Sequence, residues 1–189
     1  MVNPITPDVV YDLVSASAPS LSPDGKRMIF VESWIDNGAA EARSQLQIME
    51  LGDGETRAFT SGPKDSFPAF SPNGKILAFL RPDKAGRIQI WLLDISGGEA
   101  HQLTDSPTSI SEYAWSPNTA QIAYCSDVDP DQLSDDHDLK KDPRVSVVRR
   151  IRYRHDVSRW RGDAHQHIFV VGIADGSLRQ MTSGDWDDS

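Results

Sequence analysis

A single cysteine, Cys125, stands among 189 residues, so no internal disulfide can form and stability must come from an apolar core. No apolar run approaches the roughly 18 residues a membrane-spanning helix needs, and Met1-Val2-Asn3-Pro4 opens without the basic stretch and apolar run of a secretory signal. The compartment expected on these grounds is the cytoplasm. An excess of positive charge is also missing: the net charge of -9 argues against recognition of nucleic acid or an anionic membrane through the overall field. Gly-x-Ser-x-Gly occurs nowhere, and no alternating strand-helix region is available to host such a nucleophile elbow. What is present is 38% hydrophobic content with five Trp, enough for a sizeable core in one domain or part of one.

The informative feature is a repeat. Ser22-Pro23-Asp24-Gly25 returns as Ser71-Pro72-Asn73-Gly74 and then as Ser116-Pro117-Asn118-Thr119, at offsets of 49 and 45 residues. A second marker follows each turn: Ala58-Phe59-Thr60, Gln102-Leu103-Thr104 and Gln180-Met181-Thr182. In the turn, Pro72 presets φ, Asn73 tolerates the left-handed region and Gly74 carries no Cβ, which is the chemistry of a hairpin connection. Around it lie four short apolar runs: Phe67–Phe70, Ile76–Leu80, Ile88–Asp94 and His101–Thr104. The flanking modules repeat them with Met28–Val31, Gln45–Met49, Ile122–Cys125 and Ile168–Val171. Continuous rather than alternating apolar runs suit strands covered on both faces. Four strands at a period in the forties point to propeller blades, a β-sandwich being the competing arrangement.

The fold expected is therefore all-β: a partial β-propeller of about three four-stranded blades, approximately residues 17–62, 63–108 and 109–184. Thr6 as N-cap and Pro7 at the first helical position open a short helix through Val9–Leu13 that packs on the rim. About forty residues, 127–164, are inserted between the second and third strands of the third blade. Rich in Asp, Ser and Pro in its first half, the insertion is expected to be the most mobile part of the chain and the first cut by a protease.

Blades with a Ser-Pro-Asp-Gly turn and a Gln-Leu-Thr end resemble both TolB-type propellers and the N-terminal propellers of prolyl-oligopeptidase-family serine peptidases. The third module tilts toward the latter. Ile151-Arg152-Tyr153-Arg154-His155-Asp156, Gly162-Asp163, His167–Val171 and Gln180–Asp188 are similar, in order and spacing, to the acylaminoacyl-peptidase and dipeptidyl-peptidase branch, with Val157 where that family typically has glycine. The resemblance implies a propeller of about seven blades over an α/β-hydrolase domain that holds the catalytic triad. It implies a gating and positioning role for the propeller, with peptide substrates and the hydrolase domain as partners. It carries over no catalytic residue, no cofactor and no metal. Because Asp188-Ser189 falls where Asp65-Ser66 stands in front of Phe67-Pro68-Ala69-Phe70, the sequence reads as the front of a longer protein whose hydrolase domain is absent here.

Within the insertion, seven aspartates between Asp127 and Asp142 precede seven arginines between Arg144 and Arg161. Arg149, Arg150, Arg152, Tyr153 and Arg154 are candidates for a substrate channel or domain interface, since guanidinium forks bind carboxylates. The bland alternative is that these charges pair with one another in solvent, where such pairs contribute little. His165 and His167 lack a third ligand at metal-like spacing, so no metal is expected. Cys125 reads as a buried small hydrophobe, and Phe70, Trp91 and Trp115 as blade-to-blade packing. A TolB-like interaction module is the competing functional reading, and a short chain that completes a ring between copies is the third. With blades missing, Ile168, Val170 and Val171 are expected on an uncovered face that favours self-association.

Overall fold

In the computed structural model, which describes residues 6–129, 154–155, 159–160 and 163–188, the three Ser-Pro turns close in the same way. The Ser22 hydroxyl donates to Asp24 Oδ1 at 2.6 Å and accepts from the Arg27 amide at 2.9 Å. Ser71 does the same with Asn73 (2.8 Å) and Ile76 (2.9 Å), and Ser116 with Asn118 (2.8 Å) and Gln121 (2.9 Å). The fourth residue takes the left-handed conformation, at φ 68° in Gly25, 70° in Gly74 and 63° in Thr119. The Asn73 side chain accepts the Lys75 amide at 3.0 Å, an Asx-type turn in which Gly74 takes the positive φ.

Each turn joins the first two strands of a sheet. The first sheet consists of β1 (Val14–Leu21), β2 (Arg27–Asp36), β3 (Glu41–Glu50) and β4 (Thr56–Ala58). The second consists of β5 (Ser66–Phe70), β6 (Ile76–Pro82), β7 (Ile88–Asp94) and β8 (His101–Gln102). In the third, β9 (Ile110–Trp115) and β10 (Gln121–Val128) precede a two-residue pair, β11 (Arg154–His155) and β12 (Arg159–Trp160). The sheet is then completed by β13 (His165–Gly172) and β14 (Leu178–Gln180). All three are antiparallel with strands in sequence order, β13 pairing directly with β10 from Val128↔His165 to Gln121↔Gly172. The insertion thus leaves and re-enters at one end of a continuous hairpin.

The second marker has an equally local cause. Thr60 Oγ1 accepts the Leu46 amide, Thr104 Oγ1 the Ile90 amide and Thr182 Oγ1 the Ile168 amide, each at 3.0 Å. A hydroxyl replaces a carbonyl where the outermost strand ends, so the third strand keeps a partner.

Period-two alternation then explains the continuous apolar runs. Leu77, Phe79 and Leu93 pack with Ile29, Val31 and Leu46 of the first sheet. The intervening Ala78, Leu80, Ile90 and Leu92 pack with Ile122, Tyr124 and Val171 of the third. The second sheet is apolar on both faces because each face has a neighbour. Val171 is buried against the second sheet, so its expected place on an uncovered face is corrected; its neighbours Ile168 and Val170 point the other way and are half-buried. Pro7–Asp12 is a 3-10 helix with Thr6 at its N-cap, but Thr6 makes no side-chain cap bond and the helix buries no residue.

Candidate functional site

Four of the five channel or interface candidates, Arg149, Arg150, Arg152 and Tyr153, lie outside the described residues, as does most of the insertion expected to be cleaved first. The backbone of Arg154 pairs with Trp160 in the β11–β12 hairpin, and its side chain also lies outside the described residues. The described geometry directs attention instead to the sheet junctions and to the edge where β1, β5 and β9 converge.

At the first junction Asp65, immediately before β5, reaches Arg81 at the end of β6: Nε to Oδ1 is 2.6 Å and Nη2 to Oδ2 is 2.9 Å. The Asp65 side chain is fully buried and that of Arg81 is 18% exposed. The Arg81 guanidinium lies 4.9 Å from the Phe79 ring centroid and 5.3 Å from that of Trp91, a cation-π arrangement that helps keep the charge desolvated. A Cβ on Gly62 would overlap Arg81 Nη2 and the Asp65 carboxylate, so glycine permits this approach. Beside the pair an open groove of about 630 Å3 runs past Arg87, Trp91 and Gln102.

The second junction is neutral. Buried Gln89 donates to Ser106 O (2.8 Å) and accepts from Thr104 Oγ1 (2.8 Å) and the Ser106 amide (2.9 Å). Ser106 Oγ meets Ser126 Oγ of the third sheet at 2.9 Å. Tyr113 on β9 donates its hydroxyl back to the second sheet, with Phe67 O at 2.6 Å and Ala78 O at 2.8 Å, and Trp115 Nε1 donates to Ala69 O at 3.2 Å. Burial pushes the Tyr113 phenol far above its ordinary pKa, so it remains a neutral donor.

At the converging edge, β1 and β5 each carry a bulge before a proline. Ala18 sits at φ 49° and Phe67 at φ 48°, where the pairing with the next strand shifts register. Side chains in that region are strained, and strain of this kind is associated with functional positions. Its effect here is to turn the Phe67 ring out of the sheet, 58% exposed, while the Phe67 carbonyl is held by the Tyr113 hydroxyl. An exposed aromatic ring on an edge strand offers a contact for an extended peptide.

One cluster resembles catalytic chemistry by residue type. Ser126 pairs across strands with His167, whose Nδ1 lies 3.2 Å from Asp188 Oδ2. Ser126 is 1% exposed and His167 3%, and Ser126 Oγ is engaged by Ser106 and Thr108, so a substrate carbonyl has no access to the trio. Its signal in the sequence was only positional: His167 stands two residues before Phe169, as Gln89 stands before Trp91. Cys125 is buried, and burial first, then Glu112 and Asp188, raise its pKa, which disfavours the thiolate. Among the described residues no three His, Cys, Asp or Glu side chains gather as a metal site.

Comparison with known proteins gives a consistent answer. The family profile of PD40, the TolB beta propeller domain, matches residues 9–144. The uncharacterized peptidase YuxL of Bacillus subtilis is 29% identical over 95% of this chain and 28% of its own length. Dipeptidyl-peptidase 5 of Porphyromonas endodontalis is 26% identical over 93% of this chain and 25% of its own. The chain thus spans about a quarter of these relatives. An acylaminoacyl peptidase from Pyrococcus horikoshii shares the fold at a TM-score of 0.75 and 15% identity, over 92% of this chain and 26% of that one.

Proposed function

From the premise that the chain belongs to the TolB beta propeller domain family, we propose that it is the non-catalytic propeller portion of a prolyl-oligopeptidase-family serine peptidase of the acylaminoacyl-peptidase kind. In this reading it gates and positions peptide substrates for an α/β-hydrolase domain. The observation that carries it is the converging edge of β1, β5 and β9, where the Phe67 bulge presents an exposed ring. Both faces of the second sheet are occupied by its neighbours, so a peptide would meet this sheet at its edge. The names of YuxL and dipeptidyl-peptidase 5, and their similarity across nearly all of this chain, support the peptidase context.

The test is fluorescence anisotropy with labelled, N-acetylated tri- to pentapeptides titrated into the 189-residue chain. Weak saturable binding that falls in a Phe67→Ala variant is expected; no binding, or binding indifferent to Phe67, sinks the assignment of the edge. A second reading, a TolB-like protein-interaction module, is favoured by the family match itself. It predicts capture of a folded protein partner without affinity for short peptides.

A further inference from the structure

The groove beside the Asp65–Arg81 pair lies at the opposite edge of the second sheet from Phe67. Phe67 is on the edge strand β5, whereas the groove follows β8, the other edge, and the β6–β7 connection through Asp83 and Ala85. Its volume is about 630 Å3 and it is open along one side. Cavities for small molecules enclose most of their guest, which this groove does not. Its shape suits a chain segment that keeps one side in water. Trp91, Leu103 and Ala85 supply apolar lining, and three cationic side chains, Arg81, Lys84 and Arg87, surround it.

The acids of the groove are engaged within it. Asp83 accepts the amides of Ala85 (2.8 Å) and Arg87 (2.9 Å) and also Arg87 Nε (2.9 Å), and Asp105 stands 3.6 Å from Arg87 Nη2. Several donors are not engaged. Asp65 takes Nε and Nη2 of Arg81, while Nη1 donates to no described residue. Lys84 is exposed and makes no ion pair with a described carboxylate. Trp91 Nε1 is buried without a hydrogen-bond partner among the described residues. Buried donors are nearly always paired, so this one marks a place for an acceptor. The groove therefore offers donors, two of them cationic, and asks its ligand for negatively charged acceptors.

We propose that this groove is a further binding site, for an extended acidic peptide. A peptide carboxylate accepts from Arg81 Nη1 and Trp91 Nε1, with Lys84 at the rim, and a neighbouring apolar side chain rests on Leu103 and Ala85. Charge-assisted hydrogen bonds of this kind are the stronger ones, and the low exposure of Arg81, 18%, limits the competition from water. Access to the indole N–H requires Gln102, the exposed cross-strand neighbour of Trp91, to swing aside and give up its 2.7 Å bond to Thr104 O. The net charge of -9 repels acids at long range, so selection depends on these local donors. The inference does not depend on the peptidase reading and holds equally for an interaction module.

The unpaired indole supplies the probe. Two-dimensional 1H-15N NMR of the native 189-residue chain, with the Trp91 indole signal assigned by triple-resonance experiments, is followed during titration with three acetylated tripeptides. Ala-Leu-Glu with an amidated C terminus carries only a side-chain carboxylate, Ala-Leu-Gln with a free C terminus carries only a terminal one, and amidated Ala-Leu-Gln carries neither. A saturable downfield movement of the Trp91 indole proton is expected with at least one acidic peptide, at an affinity about tenfold above that of the neutral one. Whichever acid binds more tightly identifies the source of the carboxylate. Added salt should weaken the binding. In Trp91→Phe, anisotropy of the labelled acidic peptide should show about tenfold weaker binding; if that variant misfolds, Lys84→Glu on the exposed loop should abolish the preference for the acid. An indole signal that stays in place, or that moves equally with the neutral peptide, would overturn the proposal, as would unchanged affinity in a folded Lys84→Glu chain.

Discussion

The third turn shows what one residue contributes. Thr119 adopts φ 63° where the first two repeats have glycine, placing a β-branched side chain in a region that costs a non-glycine residue about 1–2 kcal/mol. Thr119→Gly should therefore raise stability by about 1 kcal/mol, read as a higher urea midpoint at unchanged slope. The same substitution strategy does not apply at Asp24 or Asp94, whose contribution is electrostatic. The hydroxyls of Ser22 and Ser96, then backbone amides, hold these carboxyls below the ordinary range. A carboxyl with a lower pKa folded than unfolded stabilises the protein above the unfolded value and loses that contribution as pH falls through the folded one. Stability should then drop on acidification below about pH 4. Ser22→Ala should move the Asp24 titration, followed by NMR, upward; an unmoved titration would remove the hydroxyl as the cause.

At the scale of elements, the described sheets meet through apolar faces, and the first junction adds the buried Asp65–Arg81 pair. Arg81→Ala strands the buried Asp65 carboxylate and should cost about 3–5 kcal/mol in chemical denaturation. Replacing both partners together, Asp65→Leu with Arg81→Met, should recover most of that, because the loss comes from the uncompensated charge. Gly62→Ala pushes the same pair apart and should destabilise by about 1–3 kcal/mol, with a markedly smaller effect in the Arg81→Ala background. Additive effects would show that Gly62 acts elsewhere. The second junction includes the neutral donors Tyr113 and Trp115.

For the whole molecule, two sheet faces lack a described neighbour. Met28, Phe30 and Met49 on the first and Ile168 and Val170 on the third are only half-buried. Strong fluorescence enhancement of a hydrophobic dye by the folded chain is expected. A dye-negative chain would mean that these faces are covered. No hydrolysis of acetyl-aminoacyl amides is expected either, since the Ser126, His167 and Asp188 cluster is closed to substrate. Turnover that copurifies with the chain and yields to a serine-reactive inhibitor would contradict this.

Local chemistry explains why so much of the fold was legible in the sequence by itself. The Ser-Pro turns and the marker threonines each act within about fifteen residues, so their spacing alone determined three hairpins, three completed sheets and the propeller class. The glycine at the fourth turn position and the double-sided apolar runs followed from the same short-range rules. Tertiary structure decided the rest, because it depends on residues distant in sequence whose side chains meet only when sheets stack. Nothing in the spacing of Asp65, Arg81 and Gly62 announced an ionic junction, and the apolar run from Phe67 to Phe70 gave no sign of the bulge that turns Phe67 outward. Which way Val171 points was likewise set by strand register, since a one-residue change of phase moves a side chain to the other face of the sheet.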